Sequence, residues 1–339
     1  MTDSIDVLMT VPFADDLLEK LRSVSPQLRF HSIKASRTED IPPEIWAATQ
    51  ILYTGRIIPA PEMTPSLRWI QFHYAGIDHA IESSVLHRAD LMVTTMSGAS
   101  ASQVAEYILM MLLAFGHRLP EMNEQQKRSI WPKDRWERFS PCELLGATVG
   151  IVGYGSIGRQ VARLLIPFQT QTLATKRDAM HPQDMGYCID GQGDIAGDFV
   201  HRLYPAEALG TMAKICDFLV IAAPLTPRTR NLINASVFGI MKETACIIDV
   251  SRGGIVNHHD LVEALRERRI AGAALDVFPE EPLPVDSPLW KLPNVLISPH
   301  ISGNSPHYDL RAAELFASNL RRYLANETLM NLVNISEGY

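Results

Sequence analysis

Three chemically capable clusters in this chain each follow a short apolar run. Arg252 stands in SRGG after ACIIDV, Glu281 in PEEP after GAALDVF, and His300 in SPH after NVLIS. A guanidinium, a carboxylate and an imidazole at successive strand ends could bind an anion and move a proton, and strand carboxyl ends are where open α/β sheets place ligands. Singly, each has a plainer explanation: His300 could cap the loop after Pro299, Arg252 could pair with Asp249, and Glu281 could be surface charge beside Glu280. Their joint placement favours a site.

A fourth cluster is rich in glycine. GATVGIVGYGSIGRQVARLL sets Gly153, Gly155 and Gly158 in GxGxxG between an apolar strand and an amphipathic helix. Gly153 permits a tight turn, Gly155 leaves room for a pyrophosphate, and Gly158 lets the helix pack closely on the strand. The amides of Ser156 and Ile157 would then face the phosphates at the positive end of the helix dipole. A dinucleotide unit for NAD usually ends its second strand with an acidic residue. Here the strand ends TLATKRD, and Thr175, Lys176 and Arg177 offer a hydroxyl and two cations suited to a ribose 2′-phosphate. NADP is therefore preferred. NAD stays open, with the cations solvated and Asp178 reaching the ribose from one or two positions later.

The elements that must position these groups are legible as apolar runs. DVLMTV, LRFHSI, QILYTG, LRWIQFHY and LMVTTM alternate with helix-like segments such as ADDLLEKLRSV, the pattern of a parallel sheet flanked by helices. An apolar helix over 102–117 and a polar, Trp- and Pro-containing loop follow, and the loop marks a boundary. A second series, ATVGIVG, TLATK, FLVIAA, ACIIDV, GAALDVF and NVLISP, predicts a doubly wound sheet. A helix over 306–326 could return the chain to the first domain. The stretch 178–209 is longer than a crossover needs and is read as an irregular insertion, to which the sequence assigns no role.

Composition sets outer limits. With 339 residues, 46% hydrophobic and 20% charged, the chain has the balance of a globular protein of two domains. A net charge of −7 and scattered Lys and Arg argue against nucleic acid as a partner. MTDSIDVLMTVPF lacks the features of a signal peptide, and the apolar stretch 107–115 is about half a bilayer span, so a cytoplasmic protein without a membrane partner is expected. Cys142, Cys188, Cys216 and Cys246 stand far apart, which indicates neither a zinc site nor a disulfide framework.

In order along the chain stand AGID, VAEYIL, GYGSIG, PLTPRTRNLI, SRGGIVN, LDVFPEEP and SPHISG. With them the chain resembles the D-isomer-specific 2-hydroxyacid dehydrogenases, glyoxylate and hydroxypyruvate reductases among them, over nearly its whole length. The resemblance implies two Rossmann-like α/β domains with an active-site cleft between them. Residues 1–105 and 302–339 would form a discontinuous, flavodoxin-like substrate domain and residues 106–301 the dinucleotide domain. Arg252, Glu281 and His300 take the catalytic positions. Beyond the fingerprint and strand-end residues, the dinucleotide contacts implied are Pro224, Thr229, Val250, Ser251, Arg252, Asp276, His300 and Gly303, with Asp276 receiving the nicotinamide carboxamide. Tyr74, Ala75 and Gly76 in HYAGIDH, with Arg252, would bind substrate. A homodimer formed through the dinucleotide domain is also implied, and the 102–117 helix and the loop at 131–136 are compatible with it.

The chemistry implied needs this set. Hydride arriving at C2 of a 2-keto acid makes an alkoxide, so a proton donor must sit beside that oxygen, and His300 is the candidate. A carboxylate beside it, Glu281, stabilises imidazolium and fixes the ring. Arg252 offers a planar fork to the substrate carboxylate and polarises the carbonyl. His73, Tyr74, His79 and Asp249 depart from residues common in the family. Two rival readings use the same fold: a dinucleotide-sensing, corepressor-like scaffold that binds partner peptides, and phosphite oxidation. Formate oxidation is disfavoured because its enzymes pair the histidine with glutamine.

Overall fold

The computed structural model describes residues 4–338 and divides them into two compact α/β units. The expected domain limits at 1–3 and 339, and the start of the segment read for a leader, lie outside the described residues. One unit holds the chain up to Ser100, Met185–Cys188 and the chain from Ser305 onward; the other holds Ala101–Asp184 and Ile189–Asn304.

The first unit carries β1 (Ile5–Met9), β2 (Leu28–Ser32), β3 (Ile51–Thr54), β4 (Trp69–Phe72) and β5 (Met92–Thr94). They form one parallel sheet in the order β2-β1-β3-β4-β5, the flavodoxin-like winding. The apolar runs are continuous because both faces are covered. Val7, Met9, Ile51, Tyr53 and Trp69 face one core, and Leu8, Leu52, Ile70 and Phe72 face the other. The C-terminal helix Tyr308–Leu324 lays Ala312, Leu315, Phe316 and Leu320 onto the first of these cores.

The second unit carries β6 (Thr148–Val152), β7 (Gln171–Lys176), β8 (Arg202–Pro205), β9 (Phe218–Ile221), β10 (Cys246–Asp249), β11 (Gly272–Leu275) and β12 (Val295–Ile297). Their order, β12-β11-β10-β9-β6-β7-β8, is parallel throughout and reverses direction between β6 and β9, the switch point at which doubly wound sheets bind ligands. The sheet is again buried on both faces, with Leu219, Ile221 and Ile247 on one side and Phe218, Val220 and Ile248 on the other.

Three expectations need revision. The division expected at 105/106 cuts the helix Ala101–Gly116, all of which lies in the second unit, where Val104, Ala105, Ile108 and Leu112 share a core with Val149, Ile151 and Val220. The polar stretch expected as a boundary loop carries the helices Leu119–Lys127 and Arg135–Arg138 and also belongs to the second unit. The insertion at 178–209 ends in a strand, β8, which pairs with β7 at the sheet edge; as an edge strand it is buried only in part and lacks a long apolar run.

Phe316 is fully buried between Tyr53 and Trp69, with ring centroids 4.8 and 5.4 Å away. Phe316→Ala should cost roughly 3–5 kcal/mol of unfolding free energy, read from the urea midpoint at unchanged slope.

Candidate active site

Arg252, Glu281 and His300 follow β10, β11 and β12, which are neighbours in the sheet, so the topology sets their loops side by side. Two of the three side chains meet. His300 Nδ1 lies 2.8 Å from Glu281 Oε2, and Glu281 Oε1 accepts the Phe278 N–H at 3.0 Å, which fixes the carboxylate against its own turn. The peptide between Glu281 and Pro282 is cis. The His300 and Glu281 side chains are 42% and 37% exposed, so a solute can reach the imidazole. With Nδ1 turned to the carboxylate, Nε2 is the atom placed to give or take a proton.

The loop bearing His300 is held from below by Asp276, which is wholly buried. Its Oδ1 accepts from Ser298 Oγ at 2.5 Å and from the Ile301 N–H at 2.9 Å, and its Oδ2 accepts from the Ser302 N–H at 2.9 Å. Ser298 is also bonded to the Tyr107 hydroxyl at 2.7 Å. The resemblance assigns Asp276 to a nicotinamide carboxamide; its carboxylate is buried and bonds the histidine loop.

The arginine loop is similarly built. Asp249 accepts from the Ser251 N–H at 3.0 Å and Oγ at 2.5 Å, while Arg252, half-buried, donates from Nη1 to the Ser251 carbonyl at 2.9 Å. Asp249 takes its side-chain bonds from Ser251 and not from Arg252. Gly253 is irreplaceable in this geometry, because a Cβ there would lie 1.9 Å from the Phe278 carbonyl oxygen. The arginine loop thus presses on the turn that carries Glu281.

The glycine cradle fits a dinucleotide. Gly153 has φ of +98° and lies against the backbone of Ala222 and Ala223 at the switch point, while a Cβ on Gly158 would sit 2.5 Å from the Gly153 carbonyl. A Cβ on Gly155 would meet nothing within 4 Å, and Gly155 caps the helix Ser156–Leu165 without any side-chain bond. That space at a helix start is what a pyrophosphate requires. Ser156 and Ile157 are partly accessible there.

At the end of β7 the expected trio separates. Thr175 is buried, and its hydroxyl accepts the Gly153 N–H at 3.3 Å, supporting the turn. Lys176 donates from Nζ to the carbonyls of His181 and Gln183, the latter at 3.0 Å; burial, and then the Arg159 charge, lower its pKa. Arg177 is exposed. Elsewhere Thr229 organises its own turn, donating to the Pro224 carbonyl at 2.7 Å and accepting from the Thr226 N–H at 2.8 Å; Pro224 is exposed. Val250 and Ser251 are buried, and the Gly303 carbonyl accepts from Gln103 at 2.8 Å.

The insertion is tied to the fingerprint itself, a role the sequence did not reveal. The buried Tyr154 donates from its hydroxyl to Asp194 Oδ2 at 2.5 Å. Arg159, 2% exposed, donates to the carbonyls of Asp194 and Pro182 and pairs with Asp184 at 3.2 Å. Gln160 accepts the Gly193 N–H at 2.7 Å. Asp194 in turn accepts the N–H groups of Gly197, Asp198 and Phe199, each at 3.0 Å. The signal available was an arginine on the inward face of an amphipathic helix, which demands acceptors.

In the first unit the loop after β4 leaves Tyr74 and Ala75 exposed and Gly76 partly so. His73 is buried; its Nδ1 is 2.6 Å from the Tyr53 hydroxyl, and its carbonyl accepts from Tyr308 at 2.5 Å. The Tyr53 hydroxyl has no other described acceptor, so it donates to Nδ1, and burial lowers the His73 pKa; the ring is neutral.

Comparison with known proteins agrees with this anatomy. Residues 109–302 match the family model described as D-isomer specific 2-hydroxyacid dehydrogenase, NAD binding domain. A glyoxylate reductase of Thermofilum pendens is 34% identical over 275 residues, covering 80% of this chain and 76% of its own. A D-3-phosphoglycerate dehydrogenase of Methanocaldococcus jannaschii is 32% identical over 260 residues; the match spans 77% of this chain but 46% of that protein. A D-isomer specific 2-hydroxyacid dehydrogenase of Xanthobacter autotrophicus Py2, solved with NADPH and MES, superposes with a TM-score of 0.80 at 26% identity, covering 99% of this chain and all of that one.

Asp194→Ala removes the acceptor of three amides and a hydroxyl. Hydrogen exchange at Gly197, Asp198 and Phe199 should quicken by about 10-fold or more, the equivalent of one or two lost bonds to a charged acceptor; unchanged protection would show that the insertion is held otherwise.

Proposed function

The chain belongs to the D-isomer specific 2-hydroxyacid dehydrogenase family of NAD(P)-dependent oxidoreductases, and from that membership we propose that it reduces a short 2-keto acid at C2, and oxidises the 2-hydroxy acid in reverse, with His300 as general acid and base. The observation that carries this reading is the His300–Glu281 pair at 2.8 Å, within reach of solutes and on the strand ends adjoining the arginine loop.

The dinucleotide supplies or accepts the hydride. The protein's part is to hold charge and protons. Gly155, Ser156 and Ile157 present the space and the helix start for the pyrophosphate. The exposed Arg177, rather than Thr175 or Lys176, is the group assigned to a ribose 2′-phosphate, which supports NADP with one principal cation; the NADPH bound to the Xanthobacter protein is in keeping with this. Pro224, Thr229, Val250, Ser251 and Gly303 shape the surrounding turns. Arg252 binds the substrate carboxylate and draws electron density from the carbonyl. His300 then protonates the forming alkoxide from Nε2, with the Glu281 carboxylate held against its Nδ1. Tyr74, Ala75 and Gly76 are assigned to the substrate as well, through the amides and the accessible tyrosine of their loop.

The glyoxylate reductase relative supports a short keto acid. A phosphorylated acid such as phosphoglycerate is less well served: Arg68 is paired with Asp90 at 3.0 Å and His73 is neutral. The exposed Trp131 and Trp136 support a homodimer formed through that face of the second unit. Among the described residues no helix is long and apolar enough to cross a membrane.

Following absorbance at 340 nm with NADPH or NADH and a panel of 2-keto acids tests the whole reading; dinucleotide binding with silence across the panel would favour a sensing scaffold. His300→Ala should lower kcat by about 10²–10⁴-fold with NADPH affinity retained. Arg177→Ala should weaken NADPH by about 10–100-fold and leave NADH within about twofold, as expected for lost charge-assisted bonds to one phosphate; equal effects on both would remove the case for NADP.

A further inference from the structure

Two wholly buried carboxyl groups stand at neighbouring strand ends under the site. Asp249 closes β10 and Asp276 follows β11, and the Asp276 N–H donates to the Asp249 carbonyl at 3.0 Å. Their surroundings differ. Asp276 accepts three hydrogen bonds, from Ser298, Ile301 and Ser302, spread over both oxygens. Asp249 receives both of its side-chain bonds, from the Ser251 N–H and Oγ, on Oδ1, and its buried Oδ2 has no partner among the described residues.

Nor do the neighbouring strands bring a cation to Asp249. On one side β9 ends at Ile221 and continues into Ala222 and Ala223; on the other the charged group is Asp276 itself. In the loop beyond, Arg252 turns Nη1 to the Ser251 carbonyl. An anion buried with one empty oxygen beside a second carboxylate is the arrangement proteins avoid by keeping a proton.

We propose that Asp249 is a positioning residue that stands in the folded protein as a neutral carboxylic acid, so that the two strand ends carry a single negative charge, and that losing its proton loosens the Ser251–Arg252 loop. Burial, reinforced by the Asp276 charge, pushes the Asp249 carboxyl up to about 7, which puts this loss near neutral pH. The consequence for Arg252 rests on the function proposed above; the protonation state does not.

The sign follows from linkage. An unfolded aspartate ionises near 3.8 and the folded one near 7, so the folded state holds the proton more tightly and loses relative stability as pH rises from about 4 to about 7, with no further loss above. Asp249→Asn keeps an oxygen for Ser251 and has no proton to lose. Calorimetric Tm of wild type and D249N, measured from pH 5 to 9, should therefore diverge up to about pH 7, D249N gaining, and run parallel beyond. Between pH 6 and 8.5 the Kd for NADPH should weaken in wild type by about 3–10-fold more than in D249N, the scale of a fraction of one pKa unit to one unit. Tm curves parallel over the whole range overturn the proposal. Should D249N not fold, infrared titration of the wild type decides: a protonated-carboxyl band that fades between pH 6 and 8 supports it, and its absence at pH 6 overturns it. None of these readouts uses a keto acid, so an inactive protein with diverging curves would sink the dehydrogenase reading and leave Asp249 neutral.

Discussion

His300 occupies left-handed backbone, with φ of +54°, and stays there because Asp276 holds the residues around it. For a residue with a Cβ that conformation costs on the order of 1–3 kcal/mol. Three hydrogen bonds to a buried carboxylate, each contributing about 1.5–3 kcal/mol, outweigh it. The side chain is thereby aimed at Glu281, and the imidazole owes its orientation to a buried carboxylate beneath its loop and to the carboxylate beside it. The rest of the site depends on this anchoring, since neither Pro299 before His300 nor the exposed Ile301 after it could hold the ring in place alone.

The same economy joins the other two loops. Gly253 brings the arginine loop into contact with the backbone at Phe278, and Phe278 donates its N–H to Glu281. A chain of short contacts, backbone at Gly253 and Phe278 and then through the Glu281 carboxylate, therefore runs from the arginine loop to His300, across three adjacent strands. Asp249 and Asp276 sit beneath it as its foundations, one under the arginine and one under the histidine. The positions of these loops are set by the sheet, and the Glu281 carboxylate then joins two of them.

The dinucleotide half shows a different device. Tyr154, Arg159 and Gln160 lie within or just after the glycine fingerprint, and all three bind the segment that follows β7. That segment also takes up Lys176, while Arg177 beside it is exposed. An irregular stretch with little apolar content is ordered because its backbone carbonyls satisfy a buried guanidinium, and a buried Asp194 gathers its amides in return.

The sequence by itself determined the two parallel sheets, the fingerprint turn and the three strand-end residues, because these are local: apolar runs buried on both faces need no partner to be recognised, and glycine at a fixed spacing has few structural uses. Membership of the family was legible for the same reason, in motifs tied to particular strand ends. The tertiary structure decided what each polar group is used for. Thr175 and Lys176 have the chemistry of phosphate ligands, and the packed chain shows the further bonds they make, Thr175 to the fingerprint turn and Lys176 to the insertion; Asp276, read from the resemblance as a carboxamide acceptor, bonds the histidine loop. Edge strand β8 and the short helices after Gly116 were hidden because their stability comes from what they pack against rather than from their own pattern. A hydrogen-bonding side chain can serve many partners, and only the packed chain, which decides which donors are left without water, selects among them.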